Sequence, residues 1–135
     1  MQDRLESHPL VELKHISKHF GEGETRVDAL RDITLTVSSG EVVGLLGPSG
    51  SGKSTLLNVI GAIIDPNEGW MRLDGERVYD NRWLRRDLRR MRLEKIGFIF
   101  QLHNLLPFLD ATDNVALVYY LAGVPRDEAV KRSAF

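Results

Sequence analysis

The sequence predicts an α/β fold. Small antiparallel strands lead into a strand–loop–helix unit, and helices follow. Three observations carry this. Ile33, Leu35 and Val37 alternate with Thr34, Thr36 and Ser38, the period of a half-buried strand. Val42-Val43-Gly44-Leu45-Leu46 is a continuous apolar run that opens straight into the glycine- and serine-rich stretch Gly47 to Gly52. Such a run has the pattern of a strand buried on both faces. Asp74-Gly75 separates two short strand-like segments, a hairpin signature.

Taken in order, Leu10 to Ile16 loosely alternates and predicts a strand, and Gly21 to Glu24 a loop. The strand over Ile33–Val37 turns at Ser39-Gly40 into the predicted buried strand 42–46. A helix is expected over Ser54–Ile64, stopped by Asp65-Pro66-Asn67-Glu68-Gly69. Trp70–Leu73 and Glu76–Tyr79 form the hairpin arms. Arg82–Lys95 predicts a helix with Leu84, Leu88 and Met91 on one face, and Ile96–Phe100 a second buried strand. Thr112 is the expected cap of a helix to Ala122, closed by Gly123 and Pro125, with a last helix starting near Pro125.

The chain has 135 residues, 42% of them hydrophobic and 27% charged, which excludes a disordered tail, a fibre or a low-complexity linker. With 18 Lys+Arg against 19 Asp+Glu the formal net charge is -1, so no global excess points to nucleic acid or an anionic membrane. There is no cysteine, which excludes a disulfide scaffold, a cysteine-ligated metal and a cysteine nucleophile. The start, Met1 to Glu6, is polar and unlike a signal peptide. The most apolar later stretch, Leu105–Val124, holds Pro107, Asp110, Asp113 and Asn114, which a bilayer core would not accept unpaired. Arg82–Lys95 carries seven basic residues and two acids. It reads as a solvated face, against the alternative of a nucleic-acid-binding helix. His8, His15 and His19 lack metal-ligand spacing with nearby acids and read as surface or strand residues.

Gly47-Pro48-Ser49-Gly50-Ser51-Gly52-Lys53-Ser54 fits the phosphate-binding loop pattern GxxxxGK[ST], between a buried-looking strand and a helix. Its glycines let successive backbone N–H groups turn inward as an anion nest, and the helix adds the positive end of its dipole. Lys53 is the candidate contact to the terminal phosphates, Ser54 the candidate magnesium ligand, and Thr55 a candidate donor to a phosphate oxygen. The competing reading is a flexible Gly/Ser loop with a stray lysine, which fits poorly between two apolar elements.

The flanks of this loop make the chain resemble, from about Val11 onward, the ATP-binding subunit of ABC transporters. Leu30-Arg31-Asp32-Ile33 through Ser38-Ser39-Gly40-Glu41 looks like the family's lead-in strand and Gly-Glu turn. Gly47–Thr55 matches its form of the loop, and Gly97-Phe98-Ile99-Phe100-Gln101 its strand ending in the Q-loop glutamine. Leu105-Leu106-Pro107 and Asp113-Asn114-Val115 follow at the family's spacing, and the run 101–115 is most similar to the lipoprotein-release and macrolide-export group. The resemblance implies a P-loop NTPase fold, a RecA-like ABC ATPase core with an N-terminal antiparallel β-subdomain. Within it, about 10–46 and 70–79 supply the β-subdomain and core strands, 47–64 the P-loop and helix, 96–104 the Q-loop strand and loop, and 105–135 the start of a helical subdomain. It further implies ATP and Mg2+ as ligands. Phe20 would stack on adenine, with a core phenylalanine as the alternative. Gln101 would contact magnesium or the attacking water, with an ordinary surface glutamine as the alternative. His103 and Asn104 receive no role. Implied partners are a transmembrane permease, facing residues 101–124, and a second ATP-binding subunit in a homodimer at the cytoplasmic face of a membrane.

The family has parts that these residues lack: the LSGGQ-type signature, an apolar strand ending in Asp-Glu, and a switch histidine. The chain therefore resembles the N-terminal portion of such a domain, truncated before the Asp-Glu strand, and is expected to be inactive alone. The apolar runs 42–46 and 96–100 are expected to have open edges. Two other readings stay open. One is a P-loop enzyme of another class, such as a small-molecule kinase, against which the 101–115 run argues. The other is a non-catalytic binding or dimerisation module derived from the same fold.

Overall fold

The computed structural model describes residues 9–102 and 104–134, so the readings of Met1–Glu6, His8 and His103 lie outside the described residues. The chain divides into two compact units, Met1–Ile96 and Gly97–Phe135. In the first, strands β1 (Pro9–Phe20) and β2 (Val27–Ser38) are joined through a short 3-10 turn, Gly23–Thr25. Helix α1 (Lys53–Ile60), strands β3 (Glu68–Leu73) and β4 (Glu76–Asp80), and helix α2 (Leu88–Lys95) follow. The strands make one antiparallel sheet in the order β2-β1-β3-β4.

β1 and β2 run well beyond the alternating stretches because each carries a bulge that breaks the period of two. His15 and Asp32 sit at φ 54° and 51°, and the ladder shifts register between Leu13 and Ile16. Three positions apart, Leu13 and Ile16 would face opposite sides of a regular strand. The bulge turns both inward, and each is fully buried. His15 Nδ1 donates to Asp32 Oδ1 at 2.6 Å across the two bulges. On the other side β3 must pass the displaced backbone. Gly69, at φ +97°, allows this: a Cβ there would lie 2.4 Å from the His15 carbonyl oxygen. The Asp74-Gly75 hairpin forms as expected, with both turn residues at positive φ, 49° and 75°.

One face of the sheet buries Leu13, Ile16, Leu30, Met71, Leu73, Val78 and Tyr79 against Leu56 and Val59 of α1 and Met91 of α2. The C-terminal end of α1 is fixed by polar contacts. Tyr79 Oη donates to the Pro66 carbonyl at 2.8 Å, Trp83 Nε1 donates to Asp65 Oδ1 at 2.7 Å, and the two rings meet edge to face at 5.2 Å. An Arg92 guanidinium nitrogen donates to the Ala62 carbonyl at 2.9 Å.

α2 starts six residues later than expected. Trp83 bridges to Tyr79 as an extension of the sheet, and Asp87 Oδ1 accepts from Arg90 N at 2.9 Å as the N-cap. Leu84 is consequently exposed rather than on the core face. Four basic side chains of 82–95 are tied down. Arg85 binds Glu76, Arg90 binds Glu94, Lys95 binds Asp74, and Arg92 holds Ala62.

The apolar runs 42–46 and 96–100 form no strand, which corrects the expectation of two buried strands. Val42, Leu46 and Ile99 are almost fully exposed. A strand exists through its ladder, and among the described residues neither run has a ladder partner. Phe98 and Phe100 stack on one another with centroids 5.6 Å apart.

The second unit contains helices α3 (Ala111–Leu121) and α4 (Arg126–Ser133), packed through Ala116, Ala129 and Ser133. Its cap is Asp110, not Thr112: Asp110 Oδ1 accepts from Asp113 N at 2.7 Å. Asn114 holds the preceding loop by donating to the Leu106, Leu109 and Asp110 carbonyls. No described helix is long and apolar enough to cross a membrane.

Two outcomes follow. Tyr79→Phe strands the buried Pro66 carbonyl and should lower unfolding free energy by about 1–3 kcal/mol, read from denaturant midpoints. An unchanged midpoint would show that α1 is anchored otherwise. Hydrogen bonds from Lys95, Arg85 and Arg90 hold Asp74, Glu76 and Glu94 below the usual carboxylate range. These pairs contribute in full above the unfolded-state values near pH 4 and are lost as pH falls through the lower folded values. Melting temperature should therefore drop as pH is lowered below about 4, and less so in 1 M salt, which already screens the pairs. A salt-independent acid profile would count against them.

Candidate phosphate-binding site

The loop 47–52 and the first turn of α1 are built around Gly52. It caps the helix at φ 86°, ψ 2°, with no side-chain acceptor for the first helical N–H groups. A Cβ at this position would lie 2.4 Å from the Ala29 carbonyl oxygen and 3.2 Å from Leu30 Cδ2. Only glycine lets the helix start this close to β2. By helix geometry the N–H groups of Lys53, Ser54 and Thr55 have no intrahelical acceptor, and the first internal bond is Leu56 N to Gly52 O at 2.8 Å. These N–H groups and the helix dipole make an anion-binding end.

Lys53 folds back over the loop. Its Nζ donates to the carbonyls of Gly47 at 2.9 Å and Pro48 at 2.6 Å, and to Ser51 Oγ at 3.1 Å. The ammonium thus sits inside the curl of the loop, where three oxygens hold its position. Ser54 is exposed and Thr55 half-buried, so both hydroxyls belong to the same end of the helix. A cavity of about 350 Å3 opens here, with Ser49–Thr55 on one side and Val27, Asp28 and Ala29 of β2 on the other. The donor set suits a polyphosphate: backbone N–H groups, one ammonium and two hydroxyls converge, and Ser54 offers a hard oxygen suited to magnesium. Among the described residues there is no group of three or more His, Cys, Asp or Glu that could hold a metal unaided.

Phe20 lies at the end of β1, 43% exposed, opposite Val27 in the β1–β2 register, with Lys18 Nζ 5.0 Å from its ring centroid. Its ring is therefore not part of the core, and its register partner lines the cavity. Gln101 belongs to the second unit and is exposed. The structure thus assembles Gly47, Pro48, Ser49, Gly50, Ser51, Gly52, Lys53, Ser54 and Thr55 in the first unit with Phe20 near by, while Gln101 stands in the other. Sequence reasoning missed the opposite wall. Asp28 lines the cavity and is paired with Arg26 at 2.8 Å and Arg31 at 3.6 Å. The Arg26 hydrogen bond holds its carboxyl below the usual carboxylate range, aided by the charges of Arg26, Arg31 and His19. An acid in a strand gives no local signal of what it faces.

Comparison with known proteins agrees with this geometry. The family model described as ABC transporter matches residues 30–134. The lipoprotein-releasing system ATP-binding protein LolD of Geobacter metallireducens is 45% identical over 120 residues, 89% of this chain and 52% of that protein. The macrolide export ATP-binding/permease protein MacB of Aggregatibacter actinomycetemcomitans is 42% identical over 125 residues, 92% of this chain and 19% of that protein. The chain thus spans about half of LolD and about a fifth of MacB. Among solved structures, the dimeric post-hydrolysis state of the ATP-binding cassette MJ0796, bound to ADP and Pi, superposes with a TM-score of 0.79 at 39% identity. It covers 91% of this chain and 53% of that one. The fold is that of the ABC ATPase cassettes, and the relatives include the lipoprotein-release and macrolide-export proteins that the 101–115 run resembles. A family model matched over most of the chain, a cassette fold and an assembled phosphate-binding loop agree: this chain belongs to the ABC transporter family.

Proposed function

We propose that this chain binds MgATP as the nucleotide-binding part of an ABC transporter ATPase, which couples ATP binding and hydrolysis to export or release of a substrate across a membrane. The observation that carries the reading is the start of α1, whose first N–H groups no side chain caps, with Lys53 held in the curl of the Gly47–Gly52 loop. Phosphate oxygens would take the N–H groups of Lys53, Ser54 and Thr55, and Lys53 would exchange loop carbonyls for phosphate. Bound magnesium would neutralise phosphate charge, with Ser54 and Gln101 as the chain's candidate ligands. Gln101 is also the candidate for orienting the attacking water. Phe20 would stack on the adenine.

Hydrolysis to ADP and phosphate requires a carboxylate to orient water and a second one to hold magnesium. The resemblance places both outside these residues, so the activity proposed for the 135 residues themselves is binding. The proposed partners are a transmembrane permease and a second ATP-binding subunit, at the cytoplasmic face of the membrane. The names of LolD and MacB, which describe an ATP-binding protein and a joined ATP-binding/permease protein, support the first. The dimeric MJ0796 cassette supports the second.

Removing the ammonium in Lys53→Ala takes away a charge-assisted contact of about 1.5–3 kcal/mol, so ATP affinity should fall about tenfold or more in a calorimetric titration. Equal dissociation constants for the two proteins would overturn the assignment. Phe20→Ala should weaken ATP and GTP by similar factors of a few-fold, since stacking is worth about 0.5–1.5 kcal/mol and either purine offers a π-face. Unchanged ATP affinity would remove Phe20 from the site.

A further inference from the structure

We propose that Ser51 is a positioning residue for Lys53: its hydroxyl latches the ammonium into the empty loop, and giving up that bond opposes nucleotide binding. The proposal rests on the nucleotide reading above and adds a control on affinity to the same site. A lysine ammonium has three N–H donors and no acceptor. Here all three are spent inside the loop, on the Gly47 carbonyl at 2.9 Å, the Pro48 carbonyl at 2.6 Å and Ser51 Oγ at 3.1 Å. No donor is left over for a phosphate, so the ammonium reaches one only by releasing a loop oxygen. The Ser51 bond is the longest of the three, and its acceptor belongs to an exposed residue, where water replaces the lysine. It is the first bond to yield, ahead of either carbonyl.

The place of this hydroxyl is set by the curl of the loop rather than by the lysine. Ser51 N donates to the Pro48 carbonyl at 3.3 Å, which closes the turn. The side chain then rests against Gly47, where a Cβ would lie 2.8 Å from Ser51 Oγ and 3.4 Å from Ser51 Cβ. Oγ therefore stands between the first residue of the loop and the ammonium. An alanine at this position keeps the backbone bond and the Cβ, and the two carbonyls still hold the lysine. Truncation thus removes the latch and leaves the curl. A contact made in the free protein and lost in the complex favours the free state, so its removal strengthens binding.

The test is a double-mutant cycle, read by calorimetric titration of the 135-residue chain with ATP in magnesium buffer. The proteins are the wild type, Ser51→Ala, Lys53→Ala and the double variant. Ser51→Ala should bind ATP about three- to tenfold more tightly than the wild type, the worth of one hydrogen bond. In the Lys53→Ala background the same truncation should change nothing, because the latch has lost its donor. Ser51→Thr, which keeps a hydroxyl, should bind as the wild type does. A Ser51→Ala affinity equal to or below that of the wild type overturns the proposal while leaving the nucleotide reading intact. So does a gain of the same size in the Lys53→Ala background, which places the effect outside the lysine. A folded wild type that binds no ATP overturns the nucleotide reading, and this proposal with it.

Discussion

The paired bulges of β1 and β2 are the constraint from which the first unit follows. A regular strand would send Leu13 and Ile16 to opposite faces, and one of them would face solvent. By taking positive φ, His15 and Asp32 shift the pleat by one residue, and their side chains join at 2.6 Å on the exposed side. Both leucine and isoleucine then reach the core. The displaced carbonyls of Lys14 and His15 crowd the neighbouring strand, and Gly69 is the residue that lets β3 pass beside them, where the β1–β3 ladder shifts register between Lys14 and Ser17. Three residues distant in sequence thus settle one local geometry, and the buried face of the sheet depends on it.

The phosphate-binding loop rests on that sheet. Its lead-in run, 42–46, forms no strand, yet the loop is curled and the helix behind it starts at Lys53. Local chemistry accounts for this. Lys53 binds back to the Gly47 and Pro48 carbonyls, and Leu56 and Val59 anchor α1 in the core. Gly52 fits against the Ala29 carbonyl, which brings the helix start to β2 and makes β2 the second wall of the cavity. The far end of α1 is held by Tyr79, Trp83 and Arg92. A loop fixed by its own glycines and lysine needs less from its flanks than a strand, which has no hydrogen-bond partners of its own.

Charge in this unit is largely local and paired. The basic excess of 82–95 is partly offset in space, where Arg85 meets Glu76, Arg90 meets Glu94 and Lys95 meets Asp74. Asp28 shows the same principle at the cavity: two arginines flank an acid that would otherwise oppose an anionic ligand. Such exposed pairs stabilise only slightly, so their main consequence is where charge is directed.

Sequence alone determined the features that are local. GxxxxGK[ST] prescribes its own turn chemistry, Asp74-Gly75 prescribes a hairpin with positive φ at both residues, and Gly123 and Pro125 mark a helix end. Together with the flanking runs these sufficed for the family and the P-loop. Tertiary structure decided what depends on partners. The alternation rule failed at His15 and Asp32 because a bulge is set by the strand alongside. Apolar composition overstated 42–46 and 96–100 because hydrophobicity supplies no ladder of hydrogen bonds. Helix periodicity in 82–87 yielded to the Trp83–Tyr79 bridge. The position of Asp28 against the phosphate-binding loop was invisible in sequence, since it arises only where Gly52 brings α1 to within contact of β2.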